Sequence, residues 1–214
     1  MSGRPTLATL RDLVPLRPLT IAEACSIAER QALQLVPTLG GQDGPVEESV
    51  ISRLPHVEVL RTSLLSDSGA SGWHKGRWLI LLNDRDSITR QRFSLAHELK
   101  HVLDSRFARL IYRAIPDAER DGRVEDICNH FAACLLMPRP WVKRAWATGT
   151  QDVRTLAKDF DVSQAAMQVR LHQLGLTTPR RRHATRAADG RRLARIVAAQ
   201  SARGYAAPAG RADH

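Results

Sequence analysis

Apolar residues recur every three or four positions in several stretches of the chain and run almost unbroken in one. The pattern therefore predicts helices, then strands, then helices again. Residues 1–18 are cut by Pro5, Pro15 and Pro18 and are expected to be irregular. Thr20, with Glu23 three positions on, has the form of a capping box. It opens a helix whose apolar positions are Ile21, Ala24, Cys25, Ala28, Leu33 and Val36. Gly40, Gly41 and Gly44 interrupt the chain, and Pro45 opens a short second helix with Glu47 and Glu48 in its first turn. Residues 57–65 alternate in part, SDSGASG reads as a turn, and the apolar run 76–84 ends at Asn83-Asp84. These segments predict a small antiparallel sheet of about three strands, with Trp78 to Leu82 the strongest. Helices follow from about Ile88 to Ser105 and from about Asp117 to Met137, the second stopping before Pro138. A short helical pair in QDVRTLAKDFDVSQAAMQVRLHQLGL closes the patterned region, and the order of elements gives an α+β fold.

Composition narrows the class. In 214 residues, 43% are hydrophobic and 25% charged, as in ordinary globular chains, which excludes full-length disorder and a fibrous rod. No apolar run approaches the roughly 18–20 residues of a membrane helix, and the proline-cut N-terminus has no signal-peptide core. Three cysteines without an export signal predict reduced thiols and a cytoplasmic protein. The formal charge of +10 is unevenly placed: residues 179–214 carry nine arginines against two aspartates, +7 of the total, which leaves +3 for residues 1–178. The expected organisation is an irregular segment 1–18, a folded domain 19–178 and a basic, disordered tail 179–214.

The chemistry lies in His97-Glu98-Leu99-Lys100-His101. In a chain with eight histidines and eight glutamates, a chance HExxH is roughly a 1% event. On a helix, residues i and i+4 face the same way about one turn apart, so both imidazoles can hold one zinc ion at about 2.0–2.1 Å. Glu98 lies about 100° around the helix, where it can reach a water in an open coordination position. A catalytic zinc needs a third protein ligand. Glu125, sharing a face of the next helix with Asn129 and Ala132 or Ala133, is the best candidate, with Asp126 and Asp104 as competitors. Asp104 could also be a partner to an imidazole N–H. Cys128 and Cys134 read as small core residues, and His130 as structural. Tyr112, His130 and His172 are the candidate oxyanion donors.

RFSLAHELKHVLD, EDICNHFAACLLMP and LAKDFDVSQAAMQVRLHQLGL together resemble the ImmA/IrrE family of HExxH zinc metallopeptidases, in the same order, over about residues 20–178. The resemblance implies zinc held by His97, His101 and Glu125, with Glu98 as general base. It implies a cytoplasmic endopeptidase that cuts a cognate repressor or regulator, often one with a helix-turn-helix domain, in phage, mobile-element or stress-response circuits. The sequence departs from the family at Lys100, where glycine is usual, and at Cys128, where alanine is usual. Lys100 is expected to crowd a strand or loop passing close to the helix.

Two further readings complete the expectations. The Trp78–Leu82 strand, as an edge near the HExxH helix, could pair with an extended peptide. Residues 152–176 look like a helix-turn-helix, with Leu156, Ala157, Phe160, Ala165, Val169 and Leu174 inward and Gln164, Gln168, Arg170 and Gln173 outward. The alternative to a peptidase is accordingly a DNA-binding transcriptional regulator, using that segment and the Arg-rich tail, with a structural or vestigial metal site. The intact Glu98 favours the enzyme, since a purely structural site has no use for it.

Overall fold

The computed structural model describes residues 6–36 and 44–177. Gly40, Gly41 and the tail 179–214 lie outside the described residues. Residues 7–11, expected to be irregular, form a one-turn helix, α1 (Leu7–Arg11), because Thr6 and Thr9 cap it reciprocally. The capping box at Thr20 forms as read: the Thr20 hydroxyl accepts the Glu23 N–H at 3.2 Å, and Glu23 Oε2 accepts the Thr20 N–H at 2.8 Å. It starts α2 (Ile21–Leu35). The next helix, α3, is only Ser49–Ser52. Glu47 and Glu48 precede it, and Glu48 is paired with Arg61 at 2.5 Å.

The sheet has three strands, β1 (Val57–Thr62), β2 (Gly69–His74) and β3 (Arg77–Asn83), in the order β1-β3-β2. It is mixed rather than antiparallel: β2 pairs antiparallel with β3, but β1 pairs parallel with β3, Val59 opposite Ile80. The cause is the connection at 63–68, which carries the chain past the position beside β1 to the far edge. The segment read as a turn contributes the start of β2. The true turn is Lys75-Gly76, with φ of 45° and 82°. Two consecutive left-handed residues make the two-residue hairpin whose twist suits the flanking strands, and glycine takes one of the two positions without cost. Ile80 and Leu82 on β3 are fully buried.

Helix α4 (Ile88–Asp104) is capped by Ser87, whose hydroxyl accepts the Arg90 N–H at 3.3 Å. After the short α5 (Ala108–Ile111) comes α6 (Asp117–Leu136), which stops at Met137, held extended before Pro138. Helix α6 packs against both α2 and α4, and α4 packs on β2 and β3. The core joins Leu95, Ala96, Leu99 and Val102 of α4 to Ile127, Phe131, Ala132 and Leu135 of α6. The small buried residues Ala96 and Ala132 let the two helices approach closely. Among the described residues no helix is long and apolar enough to cross a membrane.

The chain ends its described part with α7 (Arg139–Ala147), α8 (Val153–Asp159) and α9 (Gln164–Gln173), the last two capped by Asp152 and Ser163. Helices α8 and α9 form the helix-turn-helix shape read from the sequence, with different faces. Met167 and Leu171 are buried, whereas Ala165 and Val169 are exposed. Arg170, expected on the outer face, is 1% exposed. Its guanidinium donates to the Met137 carbonyl at 3.0 Å and to Glu29 at 3.4 Å. Arg139 grips the same Glu29 with two hydrogen bonds of 2.9 and 2.8 Å. The helix pair is therefore clasped to α2 and to the end of α6.

Candidate metal centre

His97 and His101 share one face of α4, as the i, i+4 spacing requires, with their Nε2 atoms 3.1 Å apart. Glu125 of α6 reaches both: Oε2 lies 3.2 Å from His97 Nε2 and Oε1 lies 3.2 Å from His101 Nε2. His97 Nδ1 is 3.0 Å from the Asn129 side-chain oxygen, which accepts its proton and leaves the Nε2 lone pair facing the cluster. The sequence placed Asn129 on the Glu125 face. Its role became readable only once α6 was seen beside α4. His97 is 13% and Glu125 54% exposed at the side chain, so the cluster opens to solvent on the glutamate side.

The donor set fits a cation. Two deprotonated imidazole nitrogens and a carboxylate are all acceptors, and bare acceptors crowded at 3.1–3.2 Å repel unless a proton or metal sits among them. Tetrahedral donors each about 2.0–2.1 Å from zinc stand about 3.3 Å from one another, close to the separations found. Electrostatics agrees. Burial works to lower the His101 pKa, but hydrogen bonds with Cys128 and Glu125 outweigh it, so the imidazole is pushed up to about 11. Hydrogen bonds from His101 and then His97 hold the Glu125 carboxyl well below its ordinary range, against burial.

Cys128, fully buried on α6, is a second neighbour: its sulfur and a nitrogen from each histidine lie within 4.8 Å of one another. Burial raises the pKa of this thiol. The Glu125 carboxylate, with an oxygen 3.2 Å from each imidazole nitrogen, is the better-placed third donor. Glu29, His130 and Cys134 make another grouping of ligand types, but Arg139 and Arg170 already neutralise Glu29.

The Glu98 side chain meets the sheet, where the Ser71 hydroxyl donates to its Oε2 at 2.7 Å. Ser71 gave no signal in the sequence, because it stands in the stretch read as a turn. The strand beside the site is β2. The Trp78–Leu82 segment lies in β3, the central strand, and is hydrogen-bonded on both sides, so it cannot accept a peptide. Asp104 does not face the histidines. It is buried, accepts the Lys100 ammonium at 2.7 Å and accepts the Tyr112 hydroxyl. Burial and then the Asp104 charge push the Tyr112 phenol far above its ordinary pKa, so its hydroxyl is committed there rather than to an oxyanion. Lys100 is 2% exposed and turns towards α2, where its ammonium also donates to Gln31 at 2.8 Å, instead of crowding the sheet. His130 is 3.4 Å from the Cys134 sulfur, and Asp126 contacts Arg123.

Two histidines of an HExxH helix joined by a carboxylate from a neighbouring helix, with the motif glutamate alongside, is the layout of the metallopeptidases that carry this motif. The chain belongs to the Peptidase M78 family, whose description, IrrE N-terminal-like domain, matches residues 56–172. It is 30% identical over 147 residues to the radiation response metalloprotease IrrE of Deinococcus radiodurans, covering 63% of this chain and 42% of that protein. It also shares its fold with a Mycobacterium tuberculosis transcriptional regulator, at a TM-score of 0.52 and 19% identity, over 84% of this chain and 54% of that one. The chain thus spans under half of the curated relative and about half of the solved structure. Membership in this family implies a divalent metal.

Proposed function

We propose that the protein is a zinc-dependent endopeptidase that cuts a regulatory protein, with His97, His101 and Glu125 as ligands and Glu98 as general base. The observation that carries the reading is the convergence of two imidazole nitrogens and two carboxylate oxygens at 3.1–3.2 Å, with a second carboxylate, Glu98, next in sequence to His97 and held by Ser71. Zinc held there would polarise the scissile carbonyl and acidify water. Glu98 takes the proton from the attacking water and passes it to the leaving amine. Asn129 accepts the His97 Nδ1 proton and so keeps the ring in the tautomer whose Nε2 presents its lone pair to the cluster. The edge of β2, open beside α4, can hold an extended peptide by strand addition. A regulator as substrate is supported by the family and by the radiation-response name of the relative. The three free cysteines support a cytoplasmic setting.

The test is purified protein with zinc measured by mass spectrometry, then incubation with a quenched-fluorescent peptide library and with helix-turn-helix repressors. About one zinc per chain and cleavage of a repressor support the reading. Full metal loading with a gel shift and no cleavage would instead support the DNA-binding alternative. Replacing His97 with Ala should reduce bound zinc to near zero while the fold persists by circular dichroism. Zinc uptake at pH 7 should also release protons, because His101 holds one in the metal-free form and must lose it to coordinate. Affinity should fall as pH falls. Calorimetry in two buffers of different ionisation enthalpy measures the release, and a buffer-independent heat would contradict it.

A further inference from the structure

We infer that Ser71 is a positioning residue for the Glu98 carboxylate and that Gly69 provides the space this carboxylate needs. The inference rests on the reading of Glu98 as general base. Strand β2 pairs with β3 in a register that sets Gly69 opposite Leu82 and Ser71 opposite Ile80. Both partners are fully buried, so this alternate set faces α4. The Ser71 hydroxyl has a single proton, and it goes to Glu98 Oε2 at 2.7 Å. A hydrogen bond to one carboxylate oxygen fixes the plane of the group and leaves Oε1 free to accept a proton from water. Gly69 supplies an independent constraint. A β-carbon built there would lie 3.2 Å from Glu98 Cγ and 3.4 Å from both Glu98 Oε1 and the Leu81 carbonyl, so even alanine would require the Glu98 side chain to give by a few tenths of an ångström. Two residues at successive inward positions of one strand thus hold the same side chain, one by a bond and one by having no side chain.

This assignment gives the edge strand a second duty. Its outer edge is unpaired in the sheet, and its inward face holds the carboxylate proposed as the base. Ser71 does not touch the reacting atoms in this arrangement. It acts through Glu98, and its loss should affect the chemical step rather than substrate or metal binding.

Wild type, Ser71→Ala, Ser71→Thr and Gly69→Ala are purified, zinc is counted and folding checked by thermal melts. Then kcat and KM are measured on a library peptide that the wild type cuts. Ser71→Ala should lose about tenfold in kcat with KM and zinc content unchanged, the scale of one hydrogen bond to a charged group. Ser71→Thr, which keeps the hydroxyl, should recover most of it. Gly69→Ala should lose at least as much as Ser71→Ala. A crystal structure of Ser71→Ala should show the carboxylate displaced. Wild-type kcat in Ser71→Ala, a loss confined to KM, or an unmoved carboxylate would each overturn the inference while leaving the peptidase reading intact. A wild type that binds no zinc or cuts no peptide would overturn both.

Discussion

Replacing Glu98 with Gln should reduce cleavage by about 10²–10⁴-fold and leave zinc content unchanged. The amide matches the carboxylate in size and can still accept the Ser71 hydroxyl, so the site should keep its shape. It cannot take a proton from water. The Glu98 carboxylate accepts from Ser71, whereas Glu125 is the carboxylate that meets both imidazole nitrogens, which is why metal and activity should separate. Single-turnover assays of the zinc-loaded variant check this. Cleavage at the wild-type rate would remove Glu98 from the mechanism, and loss of zinc would make it a ligand instead.

The second large effect is on stability and lies behind the site. Replacing Asp104 with Ala strips a buried ammonium of its counter-charge. Lys100 would retain only Gln31, and the Tyr112 hydroxyl would lose its acceptor. Leaving one partner of a buried pair uncompensated typically costs about 3–5 kcal/mol. For a domain of this size that is about 10 °C in Tm, read by circular dichroism. Changing Lys100 and Asp104 together to apolar residues of similar volume should recover most of the loss, since the cost lies in the orphaned charge. A single variant that melted like the wild type would show that water reaches Lys100.

Much of this was legible in the residue pattern because it depends on local spacing. The Thr20–Glu23 box, the ends of α4 and α6 and the shared face of His97 and His101 follow from helix periodicity and capping, which act within a few residues. Glu125 was recoverable for the same reason, as one face of a periodic helix. What escaped depends on which elements meet. Strand β1 pairs with β3 rather than its neighbour in sequence, and no alternation announces a strand in a Gly- and Ser-rich segment such as 69–72. The destinations of Lys100, Asp104 and Arg170 also escaped. Helix position alone suggests a crowding side chain for Lys100, a ligand or imidazole partner in Asp104 and an outward Arg170, whereas the partners that bury them are 69, 8 and 33 residues away in Gln31, Tyr112 and Met137. The hinge-like turn of α8 and α9 was visible in sequence, but its outward residues were misread by one such charge.

The clasp of Glu29 by Arg139 and Arg170 carries a further consequence. It makes the last two helices a fixed handle on the body that carries the candidate metal centre rather than a module on a tether. Any macromolecule that settled on the glutamines lining the outside of α9 would stand at a preset distance and angle from the His97–Glu125 cluster. On the proposed function, grip and cut would share one frame, and choosing a target would amount to choosing which of its bonds can be presented.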